Sequence, residues 1–146
     1  MPNWEHNELT ITGQPEAVNT IYEAFKSSNI FATLIGKDPA YETYTTDRQE
    51  EHNRNTYGTK LDISNESPEK LHKVNGTQLR FKVHFRTAWD APRQFITTLC
   101  KKYKVRAIIR QLDEPLIKHE IAFINEEGKT LYHEKTIYEG RFITNS

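Results

Sequence analysis

Cysteine is almost missing from this chain: Cys100 is the single one among 146 residues. An internal disulfide framework is thereby excluded, and so is a zinc site built on paired cysteines. Long apolar runs are missing too, since no stretch approaches the roughly 18 residues that a membrane-spanning helix needs. The N-terminus lacks a basic segment followed by an apolar one, so no signal peptide is expected. Those absences point to a cytoplasmic protein with no membrane partner. Glycine is sparse and scattered (Gly13, Gly36, Gly58, Gly76, Gly128 and Gly140), so no phosphate-cradling glycine-rich loop can be assembled in sequence. The six histidines (His6, His52, His72, His84, His119 and His133) show no metal-binding spacing. No cofactor, metal site or catalytic residue is expected, and the chain is not read as an enzyme.

Hydrophobic residues make up 36% and aromatics 11%, which is enough for a globular core despite a low mean hydropathy. A chain of this length buries about 68–70% of its unfolded surface, and residues 1–146 are read as one domain. Net charge is zero, from 20 Lys+Arg against 20 Asp+Glu, but the charges are segregated. Between Gln78 and Arg110 stand nine basic residues and one acid, Asp90, a surplus of eight that the rest of the chain cancels. Such a distribution can present one strongly positive face.

Hydrophobic periodicity gives the elements. In "MPNWEHNELTITG", Asn7, Leu9 and Ile11 alternate with His6, Glu8, Thr10 and Thr12, which predicts a strand ending at Gly13. Pro15 then opens a helix to about Ser27, with Ala17, Val18, Ile21, Tyr22, Ala24 and Phe25 at helical spacing. From Ile30 to Thr56 the periodicity fails, and a short irregular helix or an irregular insertion is expected there because structureless loops of that length are uncommon. "YGTKLDI" (Tyr57 to Ile63) reads as a second strand. "QLRFKVHFRTAW" is the clearest strand, with Leu79, Phe81, Val83 and Phe85 on one side and Arg80, Lys82, His84 and Arg86 on the other. Asp90 is a candidate N-cap, and Pro92 opens a second helix to about Tyr103. "KVRAIIRQL" predicts a further strand with Val105, Ala107 and Ile109 buried. Two alternating runs around Glu126-Glu127-Gly128 predict a C-terminal β-hairpin.

The order β-α-β, β-α-β, hairpin predicts an α+β fold: a ferredoxin-like split βαβ-βαβ antiparallel sheet with helices on one face, an irregular insertion (about 30–56) and a C-terminal β-hairpin. The first and third strands would be central. A strand can begin almost at the first residue if it is paired on both sides.

The segments "MPNWxxNxLxIxG", "YGTKLD" and "FRTAWDAP", with "YEGRF" near the end, resemble the YubB-type ferredoxin-like family of small plasmid- and phage-encoded proteins. Glu5 stands where that family often has Cys, and Tyr57 and Leu61 stand where Trp is common. The resemblance carries no catalytic residues. It implies a mobile genetic element as setting, hence the cytoplasm of a bacterial host cell, and a non-enzymatic binder of a host protein or protein complex. An inhibitor of a defence complex such as a CRISPR effector is one such role.

Two sets of residues are candidates for binding. If Phe81 and its neighbours pack under the helices, Arg80, Lys82, His84, Arg86, Arg106 and Arg110 line the opposite, basic face of the sheet, with Lys60 beside them. Nucleic acid is the alternative partner for that face, through its phosphates. Base stacking of the RNA-recognition kind needs exposed aromatics, and the central strand offers none. The hairpin acids, Glu120, Glu126, Glu127 and Glu134, would mask the face if the hairpin folded over it. The second set is an acidic insertion, Asp38, Glu42, Asp47, Glu50 and Glu51 around Tyr41 and Tyr44, which would imitate nucleic acid against a basic protein groove. His6 and His84 are expected on adjacent strands, Cys100 as a buried apolar residue, and Trp4 and Trp89 as core anchors.

Overall fold

Ten residues of β1 (Trp4–Gly13) run down the middle of an antiparallel sheet in the computed structural model, which describes residues 4–27, 30–36, 39–57, 64–65, 68–74, 76–88, 92–113 and 118–137. β4 (Leu79–Ala88) pairs with β1 along its whole length, from Trp4 opposite Ala88 to Gly13 opposite Leu79. β5 (Arg106–Asp113) pairs with the other edge of β1. β6 (Lys118–Ile124) and β7 (Thr130–Ile137) extend the sheet beyond β5. Two short strands, β2 (Ser64–Asn65) and β3 (His72–Lys73), pair with the outer edge of β4. The order across the sheet is β2-β4-β1-β5-β6-β7, with β3 also on β4, and every pairing is antiparallel. The fold is therefore α+β, and the first strand is central, as its position in the sequence requires.

The described helices cover one face only of the central strands. α1 (Pro15–Ala24) begins with proline at its first position, where the missing N–H is of no consequence. Val18, Ile21 and Ala24 recur on one side and are buried against β1 and β4. α4 (Arg93–Tyr103) buries Phe95, Ile96, Leu99 and Cys100 and ends in a left-handed Lys104 with φ 57°. These meet Leu9, Ile11, Phe81, Val83, Phe85, Ala107, Ile109, Ala122 and Ile124 in one buried cluster. Each such large apolar side chain contributes about 1.5–3 kcal/mol when fully buried. Phe25 lies 6.1 Å from both Phe81 and Phe85, and Tyr22 meets Phe81 edge-on at 5.3 Å. Beyond the apolar cluster the same face turns polar: Asn7, Thr87 and Gln111 are buried, with Asn7 Nδ2 donating to Thr87 Oγ1 at 3.0 Å.

Several elements depart from the sequence expectations. The insertion holds two helices, α2 (Ile30–Ile35) and α3 (Thr46–Tyr57), with a 3-10 turn at Tyr41–Thr43 between them. Tyr57 closes α3 and does not open a strand; the rest of that expected strand, residues 58–63 with Lys60, lies outside the described residues. α3 carries almost no apolar periodicity, which is why its sequence gave no helical signal. It is started by Thr45, whose hydroxyl accepts from Arg48 N at 3.3 Å, and held by Tyr41, Tyr44 and His52. Their rings sit 5.3–6.3 Å apart. α1 stops at Ala24, three residues before its expected end, where Ser27 Oγ bonds back to the Ala24 carbonyl at 2.7 Å. The cap position of α4 is Pro92, with no side-chain cap bond. Asp90, Trp89 and Asp38 lie outside the described residues, as does the side chain of Trp4.

The hairpin continues the sheet alongside β5, so it does not fold over the open face. Its turn is tied by Asn125, whose Oδ1 accepts from Glu127 N and Lys129 N at 3.0 and 2.9 Å. Gly128 there has φ 78°, and a Cβ would stand 2.6 Å from the Thr97 carbonyl oxygen of α4. Both the conformation and the close approach require glycine.

Candidate functional site

Strand alternation sends every second side chain of β1, β4 and β5 away from the helices. All six basic candidates, Arg80, Lys82, His84, Arg86, Arg106 and Arg110, fall on that open face. Registers place them: Thr12 lies between Arg80 and Arg106, and Glu8 lies between His84 and Arg110. The nine basic residues of the central segment thus divide. Five cations sit on the open face, while Arg93, Lys101, Lys102 and Lys104 belong to α4 and its C-terminal turn. Lys102 Nζ donates to the Leu34 carbonyl at 2.7 Å and Arg93 Nη2 to Thr130 Oγ1 at 3.5 Å.

Glu8 is the anionic hub of the face. Its carboxylate lies 3.2 Å from His84 Nε2, 3.9 Å from Lys82 Nζ and 4.0 Å from Arg110 Nη1. His84 Nδ1 also approaches Glu69 at 3.8 Å. These groups are partly solvated, so each pair contributes about 0–1 kcal/mol and leaves the cations available to a stronger anion. His6 faces Arg86 across the strands and His84 faces Glu8, so the two histidines are diagonal neighbours and not a facing pair. Arg106 is more firmly held, donating to Glu126 Oε1 at 3.1 Å and Gln78 Oε1 at 3.0 Å, and Arg80 Nε donates to Thr12 Oγ1 at 3.0 Å.

The face also carries apolar side chains that alternation alone did not single out. Ile108, between Arg106 and Arg110, is 37% exposed. Phe123 lies opposite it on β6 and Tyr132 opposite Phe123 on β7. Phe123 and Tyr132 are 39% and 46% exposed, with ring centroids 5.4 Å apart. The signal was present in "IAFI", where both alternating sets contain apolar residues, a sign that neither face of β6 is simply solvated. Tyr132 donates its hydroxyl to Glu134 Oε2 at 2.5 Å, and this bond, with burial and the carboxylate charge adding to it, raises the phenol above its ordinary value. Aromatics are therefore exposed on this face, though on the added strands and not at the centre.

Elsewhere, Cys100 is fully buried, and burial, reinforced by the Glu126 charge, pushes its thiol up to about 12. It is a packed apolar residue, as expected, and not a nucleophile at neutral pH. Glu120 bonds His133 at 3.0 Å on the helix-facing side of the hairpin. In the insertion, Glu42, Asp47 and Glu51 are exposed and Glu50 is partly buried. Arg48 and Arg54 interleave with them on α3, and the Arg48 guanidinium lies 4.1 Å over the Tyr44 ring. Among the described residues no three His, Cys, Asp or Glu side chains come together as a metal set, and no helix is long and apolar enough to cross a membrane. No family model, curated protein or solved structure matches the chain.

Proposed function

We propose that the protein is a non-enzymatic binding protein that engages single-stranded nucleic acid through the open face of its sheet. One observation carries this reading: five Arg/Lys side chains and the exposed residues Ile108, Phe123 and Tyr132 share one face that no described helix covers. Cations neutralise phosphates and release their counterions, while exposed rings accept unstacked bases. A duplex would offer phosphates and groove edges but no base face for the exposed rings, since its bases are stacked. The strand order β2-β4-β1-β5, with helices on one side, supports the ferredoxin-like split βαβ-βαβ arrangement with an added hairpin.

Replacing Arg80, Lys82 and Arg86 together with Glu tests the reading. Binding of a single-stranded oligonucleotide should be lost while the thermal transition stays in place. For the unaltered protein, neutralisation of three to five phosphates gives a log–log salt slope of about −2 to −3.5. Binding that ignores salt, or survives the triple reversal, contradicts the proposal.

A second reading is a mobile-element protein that binds a host protein complex and inhibits a defence system such as CRISPR. It is supported by the exposed acids Glu42, Asp47 and Glu51, which the Tyr41–Tyr44–His52 ring cluster holds on an ordered segment. Asp38 lies outside the described residues. Arg48 and Arg54 dilute the negative charge that imitation of nucleic acid would need. Reversing Glu42, Asp47 and Glu51 to Lys should abolish capture of a host complex if this reading holds, and unchanged capture removes it.

A further inference from the structure

The open face is not uniform, and its unevenness has a shape. Two rows of side chains cross the strands. One runs Arg80, Thr12, Arg106; the next runs Lys82, Thr10, Ile108, Phe123, Tyr132. Between them lies a cleft of about 180 Å³ whose lining includes Thr12, Arg80, Arg106, Ile108, Phe123 and Leu131. Leu131 reaches it through a register slip: Phe123 pairs with Tyr132 but Ile124 pairs with Thr130, so Leu131 is the extra residue of a bulge. Bulges re-aim side chains, and here the re-aimed leucine is 64% exposed at the cleft.

We infer that this cleft is a seat for one unstacked base of a bound single strand. The inference rests on the sheet-face reading above and specifies where on that face the strand is gripped. Size is the first argument. Pockets for drug-sized ligands start at about 300 Å³, so this cleft suits a single planar ring system. Chemistry is the second. Ile108, Phe123 and Leu131 form apolar walls for a base face, with Arg80 and Arg106 at the other side for its polar edge or the adjoining phosphate.

Preorganisation is the third argument. Arg106 is bonded to Glu126 and Gln78, and Arg80 to Thr12, so part of the ordering of both guanidiniums precedes the arrival of a strand. Arg80 uses Nε for that bond, and its terminal nitrogens have no hydrogen-bond partner among the described residues. From the cleft, the Arg110 and Lys82 side chains continue the cationic surface along which the sugar-phosphate chain runs.

The test uses the intact protein and fluorescein-labelled strands of about ten nucleotides, a length that one sheet face can accommodate. Oligo-uridylate, oligo-deoxyuridylate and an abasic deoxyribose-phosphate strand of equal charge are titrated at one fixed salt concentration by anisotropy. The base-bearing strands should bind alike, because the seat takes the base and not the sugar. The abasic strand should bind about 5-fold to 150-fold more weakly, the range for one stacked base. Phe123→Ala should weaken the base-bearing strands by a similar factor and leave the abasic strand unchanged. Equal binding of abasic and base-bearing strands overturns the seat and leaves the sheet-face reading standing. Discrimination between the two sugars larger than that between base and no base also overturns it. If the wild-type protein binds none of the strands, the reading and the seat fall together.

Discussion

Along β4, Phe81, Val83 and Phe85 alternate with Arg80, Lys82, His84 and Arg86, and the two sets meet opposite surroundings. The first set disappears under α1 and α4. The second stands on a face that no described helix covers. One strand thus writes both the stability of the protein and its candidate binding chemistry, interleaved residue by residue. The difference lies in tolerance. The buried side is packed against neighbours on every side, and lost volume there is not refilled. The open side is a set of partly solvated charges whose mutual contacts contribute little, so it can be rewritten without touching the fold. Mutations that separate the two sides test this comparison.

Phe81→Ala should have the largest effect, a loss of about 3–5 kcal/mol in stability measured by denaturant unfolding, because a fully buried ring is removed. A much smaller loss would mean that the sheet's helix side is not the core described here. Gly128→Ala comes next. It forces a left-handed conformation on alanine and drives its Cβ into the Thr97 carbonyl, and should cost about 1–3 kcal/mol by the same measurement.

Cys100 supplies a pH-dependent effect on the buried side. Its folded thiol is pushed up to about 12 from 9.0, so above pH 9 the unfolded state loses the proton first while the folded state keeps it. The contribution is fully present below pH 9 and is lost as pH rises towards 12, with a slope of up to about 1.4 kcal/mol per pH unit. Cys100→Ala should flatten that part of the stability–pH curve. An unchanged curve would place the thiol in contact with solvent.

On the open side, effects on stability should be small and effects on binding should carry the information. Glu8→Gln removes the acid that Lys82, His84 and Arg110 surround. Stability should change by less than about 1 kcal/mol. Oligonucleotide affinity should rise about 2-fold to 3-fold, the worth of one like charge some 7 Å from a phosphate in water. A fall in affinity would assign Glu8 a positioning role that outweighs its charge.

Much of this architecture was legible in the sequence, for identifiable reasons. β1, β4 and β5 alternate cleanly, and a half-buried strand has no other way to be written. The assignment of Arg80, Lys82, His84, Arg86, Arg106 and Arg110 to one face followed from that alternation alone. α3 was illegible because its helix is specified by a threonine cap and a cluster of Tyr41, Tyr44 and His52 brought together in three dimensions, with no apolar stripe along it. The base seat was illegible for a similar reason. Ile108, Phe123 and Leu131 come from three strands, and one of them arrives only through a bulge whose register the sequence does not announce. The segregation of charge along the chain carries over to the surface only in part: five of the nine basic residues share the open face, and four belong to α4 and the turn after it, because the basic segment crosses from strand to helix to strand.

The most direct test of the central claim is a map of backbone amide chemical shifts recorded while a short single-stranded oligonucleotide is added. The account predicts that the perturbed amides concentrate on β1, β4, β5 and β6, strongest around Thr10, Lys82, Ile108 and Phe123, with α1, α3 and α4 quiet. Perturbations centred on α3 or on the exposed side of α4, or none at saturating oligonucleotide, would contradict it.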